Sequence, residues 1–127
     1  MALTDATRTV NEGTTLVYTT TITDSAGNAL ALASIDTLTL TLYDVASGSI
    51  INSRTAQDVL NANQVTVHAT SGLLTWTALP ADMAIVTAAK LAGNVEHHVA
   101  LFEMVYSTTK GLNHEVDLYV TQLENVS

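Results

Sequence analysis

The stretch from Val95 to Thr121 constrains this chain more than any other: two long β-runs, VEHHVALFEMVY and NHEVDLYVT, flank a short polar turn at Ser107 to Leu112. In the second run Val116, Leu118 and Val120 point one way while Glu115, Asp117 and Tyr119 point the other, the period-two signature of a strand with one buried face. The first run is apolar on both faces. Val99 and Leu101 share a side with His97 and Glu103, and Ala100, Phe102, Met104 and Tyr106 take the other, as in a strand covered on both sides near the middle of a sheet. A hairpin of this kind has to lay its apolar face on a second layer, which points to a β-sandwich.

The rest of the chain supplies that layer. Thr14 to Thr23 is rich in β-branched residues and closes on the turn Asp24-Ser25-Ala26-Gly27-Asn28. After a short apolar edge piece at Ala29 to Ala33, the segment Ile35 to Asp44 alternates most clearly, with Leu38, Leu40 and Leu42 opposed to Thr37, Thr39, Thr41 and Tyr43. Ala46 to Ser49 turns the chain into Ile50 to Ser53. The next segment, Ala56 to Asn61, loses the period of two and reads as an irregular crossover with one helical turn that packs Val59 and Leu60 inward. Val65 to His68 and Gly72 to Thr77 form a hairpin that carries Trp76, and Pro80 then breaks the sheet. Ala81 to Leu91 reads as a loop with a helical turn.

About seven or eight short strands at this spacing predict an all-β fold, a single immunoglobulin-like antiparallel β-sandwich, with a jelly roll as the alternative. The expected organisation is a polar N-terminal arm over residues 1–9, the sandwich over 10–123 and a C-terminal tail over 124–127. Its core is expected to hold Leu38, Leu40, Leu42, Trp76, Leu101, Val116, Leu118 and Val120.

Composition narrows the functional classes. The chain has 127 residues and no Cys, so neither a disulfide nor a thiolate nucleophile is available, and the core must hold the fold alone. Its net charge is −8, with Arg8, Arg54, Lys90 and Lys110 scattered singly, which argues against nucleic acid as a partner. The sequence shows no apolar run of membrane-span length, and MALTDATRTV lacks the features of a signal peptide, so neither membrane association nor export is expected.

Candidate chemistry is sparse. His97, His98 and His114 lie near Glu96, Glu103 and Glu115, yet the adjacent His97 and His98 point to opposite faces of a strand and cannot ligate one ion together. Only one of them can meet His114 across the hairpin, and a hydrogen-bonding role is the commoner one for such residues. Glu103 with Glu115 or Asp117 are the carboxylates to weigh for glycoside hydrolysis, but no cleft of aromatic platforms accompanies them. Asp24, Asn28, Asp36 and Asp44 sit at strand ends where calcium sites occur, but Asp and Asn capping their own backbone is the commoner role there and the one expected. Trp76 as a sugar platform competes with Trp76 as core, and its aliphatic neighbours favour core. No nucleophilic elbow or phosphate-cradling loop is present, so the expectation is a non-enzyme with no catalytic residue, no metal and no cofactor.

Five stretches together resemble a family of small virion proteins of tailed bacteriophages and prophages: VNEGTTLVYTTTITDSAGNAL, SIDTLTLTLYD, INSRTAQDVLNANQVTV, GLLTWTALPADMAI and EHHVALFEMVYSTTKGLNHEVDLYVTQL. The likeness runs from Val10 to Leu123, and its most distinctive parts are Gln57 to Asn61, Gly72 to Trp76, and the segments Glu96 to His98 and His114 to Val116. The resemblance implies an immunoglobulin-like structural protein, assembled in the host cytoplasm into the virion as a head decoration, neck or tail component. Its implied partners are copies of itself and other phage structural proteins, and it has no catalytic residues to carry over. A carbohydrate-binding or host-surface adhesion module is the rival reading, and it would need exposed aromatic side chains.

Overall fold

The computed structural model describes residues 6–86 and 93–123. Eight strands follow one another: β1 (Ala6–Asn11), β2 (Leu16–Thr21), β3 (Ile35–Asp44), β4 (Gln57–Asp58), β5 (Val65–Val67), β6 (Leu73–Ala78), β7 (Val95–Tyr106) and β8 (Lys110–Thr121). They form a five-stranded sheet in the order β1-β8-β7-β3-β4 and a three-stranded sheet in the order β2-β6-β5. The second to eighth strands thereby take, in chain order, the places of an immunoglobulin sandwich, with β2, β6 and β5 facing β3, β7 and β8. That order selects the immunoglobulin-like arrangement over the jelly roll. Among the described residues no helix is long and apolar enough to cross a membrane.

Pairing departs from the expected antiparallel scheme at one place. β1 runs parallel to β8, with Ala6 opposite Val116 and Asn11 opposite Thr121. Parallel neighbours cannot be joined by a tight turn, and here almost the whole chain lies between them. This strand also occupies part of the stretch expected as an arm: Ala6 to Asn11 is in the sheet, with Ala6 and Val10 packed on the core, while residues 1–5 lie outside the described residues. Only those two positions of β1 are even half-buried, so its sequence carries a weak strand signal.

The Leu38, Leu40 and Leu42 alternation is fully buried, as are Trp76, Val116, Leu118 and Val120. Leu101 is the exception to the expected core. Ala100, Phe102, Met104 and Tyr106 are the inward set of β7, so the pleat turns Leu101 outward, where it is half-buried between its register partners Thr41 and Glu115. With no disulfide to join the sheets, Trp76 of β6 meets Phe102 of β7 edge to face, ring centres 5.7 Å apart, across the core.

The crossover also differs from expectation. Ile50 makes a single bridge to Tyr43, and the chain then turns through positive φ at Asn52 and Ser53. Gln57 and Asp58 form the short edge strand β4 where a helical turn was expected, although Val59 is buried as foreseen. Pro80 to Met83 is a single 3-10 turn, and residues 87–92 of the anticipated loop lie outside the described residues. Gly72 opens β6 at φ +72°, where an added Cβ would stand 2.9 Å from the Ile22 carbonyl oxygen, so both the backbone angle and the space require glycine.

A buried ion pair ties the crossover down. The Arg54 Nε and Nη2 donate to the two Asp82 carboxylate oxygens at 2.6 and 3.0 Å, a fork-to-fork contact. The remaining guanidinium hydrogens reach Gln57 Oε1, Gln64 Oε1 and the Asn63 carbonyl, while Asp82 also accepts from Asn52 Nδ2 and the Leu79 amide.

Candidate functional site

The most chemically equipped cluster was not anticipated in the sequence. The β3–β7 register sets Asp44 directly opposite His98, and the pleat puts Glu96 on the same inward face two residues before His98. His98 Nε2 lies 2.9 Å from Glu96 Oε1 and 3.5 Å from Asp44 Oδ1, and all three side chains are buried. Among the described residues these are the three whose donor atoms converge closely enough to hold a metal ion, all within 4.8 Å of one another. Asp44 and Glu96 also line a cleft of about 400 Å³, together with the exposed Val45 and Val95.

The surroundings of the cluster favour a hydrogen-bonded strut over a metal centre. Asp44 Oδ2 accepts from the Ser47 amide and hydroxyl, and Glu96 Oε1 accepts from the Val86 amide, so both carboxylates already anchor adjoining loops. His98 Nδ1 is buried without a hydrogen-bond partner among the described residues. A metal-bound imidazole ordinarily passes that N–H to a carboxylate or carbonyl, and none of the described residues gives this ring such an acceptor. We therefore expect treatment with a chelator, followed by addition of zinc or calcium, to leave the melting temperature unchanged; a large drop restored by either ion would show a stabilising metal.

The other expected candidates separate. His97 points outward, bonds Asp117 Oδ1 at 2.8 Å and stacks on Tyr119. His114 does not meet either of the other two: it faces inward opposite Phe102 and pairs across the sandwich with the Tyr18 hydroxyl of β2. Burial raises the Tyr18 phenol above its usual pKa, against the lowering influence of the Thr20 hydroxyl and of Arg8, whose guanidinium lies over the ring. Glu103 sits opposite Asn113, while Glu115 and Asp117 face Leu101 and Val99. Asp24 accepts from the Ala26 and Asn28 amides, turn chemistry of the kind Asp44 makes with Ser47, whereas Asp36 accepts from the distant Thr108 amide in the β7–β8 turn. Trp76 is fully buried and offers no platform, and Tyr119 lies half-buried with Glu115 and Asp117 on the outer face of the larger sheet.

The two outer faces differ in charge. The five-stranded sheet presents Glu103, Glu115 and Asp117 outward, together with Asp58 at its edge. The three-stranded sheet presents Val17, Thr19, Thr21, Thr66, Leu73, Thr75 and Thr77, and none of the residues of β2, β5 and β6 is charged. In a chain of net charge −8, this face is a local exception. Val17 is 59% exposed. The larger face was legible from the acidic alternation of β8, whereas the neutral face needed the β2–β6–β5 order to assemble it. Comparison of the chain with protein-family models, curated proteins and solved structures finds no match.

Proposed function

We propose that this chain is a non-enzymatic structural protein of a tailed-bacteriophage particle, a head decoration or a neck or tail component, working through contacts with copies of itself and with other particle proteins. The observation that carries the contact reading is the charge-free outer face of the β2-β6-β5 sheet on an otherwise acidic chain. Protein interfaces are depleted in charge at their centres, and solvated strand faces ordinarily are not. The sequence resemblance supplies the particle. The acidic opposite face supports it, since negative charge holds a protein away from packaged DNA.

A reconstruction of purified particles tests the reading. Hundreds of copies on the shell are expected for a decoration protein, and a dozen or fewer for a neck or tail component. Absence from the particles, or tight binding of a soluble polysaccharide by the monomer, would overturn it. The second outcome would favour the adhesion module, for which Tyr119 stacked on His97 and the half-buried Tyr43 offer aromatic surface.

A further inference from the structure

The edges of the two sheets are not equally protected. Edge strands expose unpaired backbone groups, and proteins blunt them with brevity, charge, proline or bulges. β4 spans two residues and carries Asp58, β5 spans three, and β1 carries Arg8. β2 has none of these devices: LVYTTT is six residues of uninterrupted register with β6, without charge and without proline.

The hydrogen-bond parity shows which of its groups are open. The Ile22 amide donates to the Gly72 carbonyl, continuing the β2–β6 ladder in which Leu16, Tyr18 and Thr20 face β6. The N–H and C=O groups of Val17, Thr19 and Thr21 therefore point away from β6, to a side on which no strand of the described residues pairs with β2.

We infer that this edge of β2 is a strand-addition site for the β2 of a second copy of this chain, joined antiparallel about a two-fold axis through Thr19. The register is self-complementary. Centring on Thr19 places Thr19 opposite Thr19, and Val17 opposite Thr21, so that each of these residues both donates to and accepts from its partner. The facing side chains are all β-branched and uncharged, a favourable cross-strand set. Charge selects this edge for self-association: between two copies that each carry −8, the approach least opposed by repulsion is along the neutral sheet. Pairing would join the two neutral outer faces into one continuous surface.

The inference deepens the contact reading and rests on it, but its test needs no particle. A contact between two short edge strands falls near or below the roughly 1,200 Å² of a stable standard interface, so the dimer is weak in isolation and gains from multiplicity in an assembly. Sedimentation equilibrium of the full chain should show a reversible monomer–dimer equilibrium at concentrations up to about millimolar. Thr19→Lys should raise the dissociation constant about tenfold or more by opposing like charges at the axis, while leaving the melting temperature of this exposed position unchanged. Thr19→Glu alone should behave the same way, and an equimolar mixture of the two variants should restore dimers. A chain that stays monomeric throughout, or dimers indifferent to both substitutions, would overturn the inference and leave a particle role through another surface open to its own test.

Discussion

Arg54→Ala is expected to destabilise the protein by about 3–5 kcal/mol, because it strands the Asp82 carboxylate, which is 0% exposed, without its counter-charge. Against a total stability of about 5–15 kcal/mol for a domain of this kind, that loss brings the chain near its unfolding threshold. Urea unfolding measures it directly. Arg54→Lys should fall between the two, since an ammonium keeps the charge but cannot reproduce the fork to both oxygens of Asp82 or reach Gln57 and Gln64 at once. The double variant Arg54→Ala/Asp82→Ala should cost less than the sum of the two single changes by about 1–3 kcal/mol, the signature of two groups whose main penalty is each other's absence. Asn52, Asn63 and Gln64 are exposed and can turn to water when the pair is gone, which helps the double variant. A loss below about 1 kcal/mol for Arg54→Ala would mean that the crossover relaxes and lets water reach Asp82.

The same pair shows where sequence reading stops. The Leu38-Leu40-Leu42 alternation is a local signal, and so is the inward set of β8; both were legible because strand period alone decides which face is buried. Arg54 looked like one of four scattered cations. Its burial depends on Asp82, 28 residues away, arriving from the turn after β6. The Asp44–Glu96–His98 cluster was hidden for a similar reason. The divergence of His97 and His98 was readable from strand geometry, and so was the shared face of Glu96 and His98, whereas bringing Asp44 to them required the β3–β7 register. Leu101 illustrates the opposite error: its hydrophobicity suggested core, and the pleat, already visible in Phe102 and Met104, placed it outside. β1 escaped because four of its six residues are exposed and its pairing with β8 spans nearly the entire chain.

Trp76→Ala is expected to cost about 3–5 kcal/mol, the range for emptying a large aromatic site in a packed core. The indole is 0% exposed and its edge-to-face contact with Phe102 joins β6 to β7, so the substitution removes apolar area and a link between the sheets together. Among the described residues its Nε1 has no hydrogen-bond partner, which makes the conservative variant informative. Trp76→Phe gives up part of the ring volume but also removes a buried donor left unsatisfied, whose desolvation costs about 1–3 kcal/mol, so the two effects offset and the net change should be small. The contrast between the two variants separates packing from polarity at one position. Trp76 is the chain's sole tryptophan, so its fluorescence reports unfolding of the wild type, and circular dichroism follows the variants that lack it. A loss below about 1 kcal/mol for Trp76→Ala would place the ring at the surface and return it to consideration as a sugar platform.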